Sequence, residues 1–228
     1  MKLRELNKTE IKNLLIKPPF FKRFVLMLLG VIVMGICVSV LKLCHFGTDP
    51  FAATNYGLSE TLGLDFGTTQ MLFNAAFMLL VICCDISRLG LGTIGNMILV
   101  GYSANLTTYI TEHCFGITSI SNTYIRIIVM LISLLVFIVA VAIYVNAGLG
   151  SSAYDAFPYV LHEWVKKITK KEIPFKYVRI LFDGIFTLIA YLLHGEVGIL
   201  TVLMVFTLGP MIDFVSNLLS GFLGNPKA

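Results

Sequence analysis

The sequence predicts an all-α polytopic membrane protein: six transmembrane helices forming two inverted three-helix repeats, each with a short interfacial or re-entrant half-helix. Three observations predict this. First, the 228 residues are 57% hydrophobic and 13% charged, with mean hydropathy +0.87; soluble domains carry about 25% charged residues. Second, Phe24–Leu41 runs eighteen residues without a charge and Ile127–Val145 runs nineteen. A bilayer core about 30 Å thick needs roughly 20 apolar residues at 1.5 Å each. Third, "HFGTDPFAATNYGL" (His45–Leu58) and "GLGSSAYDAFPYVL" (Gly148–Leu161) say nearly the same thing twice, each after one of those runs.

Taken in chain order, residues 1–23 form a basic arm with Lys2, Arg4, Lys8, Lys12, Lys17, Lys22 and Arg23. A cleaved signal peptide shares the basic start, but its apolar middle is shorter and a small-x-small site follows it. The arm is therefore read as cytoplasmic, ahead of an uncleaved first helix. Six segments qualify as spans: Phe24–Leu43, Phe66–Cys84, Leu91–Tyr109, Ile127–Asn146, Tyr177–Leu193 and Val197–Leu219. Between them, Asp49–Gly63 and Ser151–Val165 are too short and too polar to cross unaided. Both start like helices, with Asp49 as N-cap before Pro50 and with Ser151 or Ser152 as cap. Phe157, Val160, Leu161 and Trp164 then share one face. The organisation is residues 24–112 as a first membrane repeat, 113–126 as an outer loop, 127–220 as a second repeat and 221–228 as a cytoplasmic tail.

The repeats align by ordered landmarks. Gly47 meets Gly150 at an offset of 103, "QMLFN" (Gln70–Asn74) meets "RILFD" (Arg179–Asp183) at 109, and Thr93 and Gly101 meet Thr201 and Gly209 at 108. The extra residues fall in the lysine-rich "KKITKKEIPFK". Three spans per unit invert the second copy. The positive-inside rule agrees, placing Arg88, Lys166, Lys167, Lys170, Lys171, Lys176 and Lys227 inside, and leaving Lys42 and Arg126 outside among Asp49, Glu60, Asp65, Glu112 and Glu196. An eight-span alternative puts Arg88 outside and needs spans of about fourteen polar-rich residues, too few for the core. Inverted repeats are a recurring plan of secondary transporters, with sites near the midplane beside interrupted helices.

Arg179 and Asp183 are the sharpest chemical feature. Four residues apart, they share a helix face, and Asp183 falls roughly 15 Å past the lysine loop, near mid-bilayer. Each charge there costs roughly 2.5–3.5 kcal/mol on insertion scales. Two readings stand: an internal ion pair that pins the bundle, or part of a substrate or proton site. The first copy has Gln70 and Asn74 instead. Candidates for such a site are Arg179, Asp183, Asn74 and Gln70, with Asp155 and Asp49 in the half-helices. Asn96 and Ser103 could line the same interior, and Asp213 and Asn105 occupy near-equivalent positions. Gly92, Gly95, Gly101, Gly198 and Gly209 read as packing positions, and Pro210 as a kink.

The five cysteines show no CxxC spacing. Cys37, Cys83 and Cys84 read as small hydrophobes. Cys44–His45 and His113–Cys114, with His194, admit a metal site or a Cys44–Cys114 disulfide, but match no ligand motif. "GLGSS" carries serines without a partnered base, and no HExxH, P-loop or nucleophile elbow occurs. No enzyme, cofactor or metal is therefore expected. The basic residues follow topology, which excludes nucleic acid as their explanation.

The second unit, "GLGSSAYDAF", "YVRILFDG" and "HGEVGILTVLMVFTLGPMID", resembles the YczE/YyaS/YitT group of bacterial integral membrane proteins, most closely its YczE-like members. The group's glycine-rich turn maps to Gly148, Gly150 and Asp155. Its Arg with an acidic residue four later maps to Arg179 and Asp183, and its Gly-x-Gly-Thr to Gly-Pro region to Gly198, Thr201, Gly209 and Pro210. The likeness covers roughly residues 24–220; Ser151–Ser152 replace a frequent Gly-Pro, and Leu200 a frequent Gly. It implies a bacterial plasma-membrane location and no particular substrate. The leading expectation is a small secondary-transporter-like protein for an unknown small solute, with protons coupled through Asp183. Alternatives are a non-transporting membrane partner or regulator of another protein, or the substrate-binding subunit of an energy-coupled importer; the expected partners are the lipid bilayer, an unknown small solute, and a second copy of the chain or a partner membrane protein.

Overall fold

A computed structural model describes residues 20–223, so the basic arm before Phe20 and the tail with Lys227 lie outside the described residues. Among the described residues the chain is all helical, with no strand. In order come α1 (Phe20–Leu43), α2 (Pro50–Leu62), α3 (Phe66–Cys84), α4 (Leu91–Tyr109), α5 (Thr123–Ala147), α6 (Ala153–Thr169), α7 (Phe175–Leu192) and α8 (Ile199–Leu223). Four helices, α1, α3, α5 and residues Ile199–Ser220 of α8, are long and apolar enough to cross a membrane. The other two expected spans are helices of 19 and 18 residues. They fall short because they carry polar side chains: Asn96 and Asn105 on α4, and Lys176, Arg179 and Asp183 on α7.

The short helices begin where their caps require. Asp49 takes an amide hydrogen from Ala52 at 3.1 Å ahead of Pro50, and Gly63 closes α2 at φ 64°. Ser152, rather than Ser151, caps α6 by accepting from the Asp155 N–H at 3.0 Å. This helix runs on to Thr169, past the expected Val165, because Lys166 and Lys167 are good helix formers and Lys170 supplies the left-handed stop. A π-helical turn, Ile110–Cys114, extends α4.

Helices α1 and α5 run antiparallel and cap one another. Arg23, at the start of α1, donates from Nε and Nη2 to the carbonyls of Ala147 and Gly148 at 2.6 and 2.7 Å. Arg126, at the start of α5, donates from the same atoms to the Cys44 carbonyl at 2.9 and 2.6 Å. Each guanidinium satisfies carbonyls that a helix end leaves without partners. Arg23 is therefore a buried structural residue of α1 and not part of a solvated arm.

The same reciprocity recurs in the turns. Thr48 N–H donates to the Glu196 carbonyl and Leu200 N–H to that of Phe46, at 3.1 and 3.0 Å. Across the molecule, Ser151 N–H donates to the Arg88 carbonyl and Gly92 N–H to that of Leu149, at 3.3 and 2.7 Å. Gly47 and Gly150 make these dockings possible, at φ 98° and 107°. A Cβ on Gly150 would lie 2.6 Å from the Gly90 nitrogen, so only glycine fits. The main core lies around α1, α4, α5 and α8, and a second, aromatic cluster joins α3, α6 and α7.

Candidate functional site

The start of α6 and the middle of α7 bring three charges together. Arg179 donates from Nε to Asp183 Oδ2 and from Nη2 to Asp155 Oδ1, each at 2.8 Å. Tyr154 donates its hydroxyl to Asp183 Oδ1 at 2.8 Å, and Ser152 donates to Asp155 Oδ2 at 2.6 Å. Both carboxylates thus have both oxygens occupied. The i,i+4 spacing on α7 explains one bridge; the cap at Ser152, which sets the first turn of α6, explains the other. Aromatic rings enclose the cluster: Tyr154 lies 4.9 Å from Phe182 and 4.5 Å from Phe51 between ring centroids.

Arg179, Asp183 and Asp155 face a central cavity of about 70 Å³ that Asp49, Gln70 and Asn96 also line. Arg179 and Asp155 also border a second cavity of about 180 Å³, which reaches Tyr159 and Asp213. The Arg179–Asp155 bridge therefore stands at the boundary between the two. On α3, Gln70 lines the central cavity, whereas Asn74 is fully buried outside it, with neither amide atom hydrogen-bonded. Asn105 does not reach the cavity; it accepts from the Gly67 N–H at 3.2 Å and donates to Asp65, fastening α3 to α4.

The glycines divide. A Cβ on Gly101 would come 2.7 Å from Gly67 Cα, and one on Gly92 would come 3.0 Å from the Gly150 carbonyl oxygen. One on Gly209, beside Pro210 within α8, would meet nothing within 4 Å. All five cysteines are free thiols; Cys44 is buried and Cys114 exposed, so no Cys44–Cys114 disulfide is present. Among the described residues no group of His, Cys, Asp or Glu is arranged to hold a metal ion.

Sequence reasoning did not find Tyr154. Its signal was its place: it lies 103 positions after Phe51, immediately past a capped start, so it enters the bundle as Phe51 does.

An all-helical chain with several membrane-length apolar helices and a charged cluster buried among them is the class these features define. Residues 21–217 match the family described as "Family of unknown function (DUF6198)", and the chain belongs to it. It is similar to an uncharacterized protein of Haemophilus influenzae, 26% identical over 200 residues that cover 88% of this chain and 86% of the relative. It is also similar to the uncharacterized protein YyaS of Bacillus subtilis, 26% identical over 183 residues, 78% of this chain and 84% of that one. The likeness to a YyaS-type family therefore holds. No solved structure gives a significant match.

Proposed function

We propose that this chain is a small secondary-transporter-like protein of the bacterial plasma membrane that moves a small solute through the central cavity. In this reading six helices span the bilayer, α2 and α6 are half-helices, and the two units are inserted in opposite directions with both termini cytoplasmic. The antiparallel pairing of α1 with α5 and the twinned turn contacts support two oppositely directed units.

The observation that carries the proposal is the cavity itself. Charged side chains inside a membrane bundle are costly and mark solute or proton pathways by default. Here they line a cavity bordered by helices of both units, next to helix starts, which is where transporters of this plan bind. The Arg179–Asp155 bridge separates that space from the second cavity, so breaking and remaking it would open and close one side.

Reconstitution into proteoliposomes with a trapped pH-sensitive dye tests this. A solute gradient from the right chemical class is expected to drive a proton signal that protein-free liposomes do not show. Correctly folded protein that moves neither protons nor any solute of a broad metabolite panel would overturn it.

A further inference from the structure

We infer that Asp49, rather than Asp183, is the carboxylate that exchanges a proton for solute, and that the solute is a small cation of the primary-ammonium type. The inference rests on the transport reading above and names the chemistry of its site.

Charge count comes first. The cavity is faced by three carboxylates, Asp49, Asp155 and Asp183, and by one guanidinium, Arg179. That guanidinium already serves two of the carboxylates, whose remaining oxygens are taken by Tyr154 and Ser152. Asp49 is 8% exposed, and its carboxylate is served only by backbone N–H groups of its own helix start, Ala52 at 3.1 Å from Oδ1 and Phe51. Among the described residues no cationic side chain pairs with it; the charges that act on it are those of Asp155 and Asp183. The other titratable groups around it are Arg179 on α7, Tyr154 on α6, Tyr56 on α2 and, through Tyr56, Glu196. Helices α1, α3, α4, α5 and α8 bring no titratable side chain to the cavity. A buried carboxylate in such surroundings needs either a proton or a cation. One group with two alternative occupants couples them by competition.

Two further side chains point to a ligand. Gln70 and Asn96 are 2% and 4% exposed, line the cavity and make no side-chain hydrogen bond to any described residue. Buried amides of this kind ordinarily have partners. Their carbonyl oxygens and Asp49 Oδ2 give three acceptors, matching the three N–H donors of a primary ammonium. Phe51 and Phe137 on the wall add ring faces that attract such a cation. An anion would meet a guanidinium whose one positive charge is already outnumbered by three carboxylates and which binds two of them through Nε and Nη2. The volume of about 70 Å³ is far below the roughly 300–1,000 Å³ of drug-sized sites, so the solute has few heavy atoms.

The test uses the purified full chain in detergent and reads thermal stability, because a ligand that binds only the folded state raises Tm. Methylammonium chloride is expected to give a saturable rise, with matched NaCl, sodium acetate and acetamide giving none. Below the pH at which Asp49 takes up its proton, apparent affinity should weaken about tenfold per pH unit. Asp49→Asn keeps an N-cap acceptor and should fold yet lose the methylammonium shift. Gln70→Leu, which touches no cap, should weaken it at least tenfold. An equal rise with sodium would overturn the ammonium assignment. A rise with acetate or acetamide alone, no rise at all, or an unchanged shift in both variants would overturn the site. Methylammonium binding without uptake into proteoliposomes would instead sink transport and leave the cation site standing; uptake of an anion without a methylammonium shift would do the reverse.

Discussion

Helices α3 and α7 carry polar side chains at corresponding positions, and the protein treats them in opposite ways. On α7, Arg179 and Asp183 are held at both ends by Asp155 and Tyr154. On α3, neither Gln70 nor Asn74 has a side-chain hydrogen bond to a described residue, and Asn74 is completely buried. The short helices explain the contrast. Counting back 103 residues from Ser152, Tyr154 and Asp155 gives Asp49, Phe51 and Ala52. The first unit thus lacks the hydroxyl and the carboxylate that serve α7, and carries its carboxylate at the cap instead. One half closes its charges on themselves, and the other leaves polar groups open toward the cavity. Closed groups hold the bundle together, and open ones are where a ligand gains most.

The largest expected effect comes from opening the closed side. Arg179→Gln strands the buried Asp183 and the 39% exposed Asp155; losing one partner of a buried pair costs about 3–5 kcal/mol, and less where water screens the charge. It should sharply lower detergent yield and Tm. Adding Asp183→Asn and Asp155→Ala, which copies Gln70, Asn74 and Ala52, should recover most of the loss. Asp183→Asn alone should cost much less, because Arg179 keeps Asp155.

Next in size is the aromatic cluster that seats α6 against α3 and α7. Phe157 lies 5.4 Å from Phe77 and 5.9 Å from Phe182 between ring centroids. Phe157→Asp should cost about 2–4 kcal/mol. Glu163→Lys, on an exposed face, should stay within about 0.5 kcal/mol. Thermal unfolding of the two variants separates a packed half-helix from a solvated linker.

Gly150→Ala should cost roughly 1–3 kcal/mol through its left-handed backbone and its approach to Gly90. Gly47→Ala should behave alike if the two turns are equivalent. Gly209→Ala, in open space, should be neutral or gain up to about 1 kcal/mol in helix propensity.

The smallest effect is the sharpest probe of the comparison. Phe51→Tyr would place a hydroxyl where the second unit has that of Tyr154, within reach of Asn74 if the geometry repeats. A new bond to that orphaned amide should raise stability by about 0.5–1.5 kcal/mol. A loss of stability would show that the two halves are not equivalent at this point.

Much of the frame was legible because local chemistry dictates it. Charge-free runs gave the apolar helices, Asp49–Pro50 gave the start of α2, and Gly47 and Gly150 marked the turns. The Arg179–Asp183 bridge was legible because four residues make one helical turn. Its continuation to Asp155 was not, since that contact joins residues 24 apart on different helices. Arg23 and Arg126 looked like topology signals, yet each caps a helix more than 80 residues away. No local pattern encodes such a partner. Asp49 was legible as a cap, but its lack of a countercharge emerges only once α7 is packed beside it.

The central claim is that the two units enter the membrane from opposite sides and meet around the cavity. In a variant stripped of native cysteines, single cysteines at Lys170 and Ser119, both exposed, would be tested with a membrane-impermeant thiol reagent on intact cells. The account expects Ser119→Cys to label from outside and Lys170→Cys only after the cells are opened. Labelling of both from the outside would contradict it.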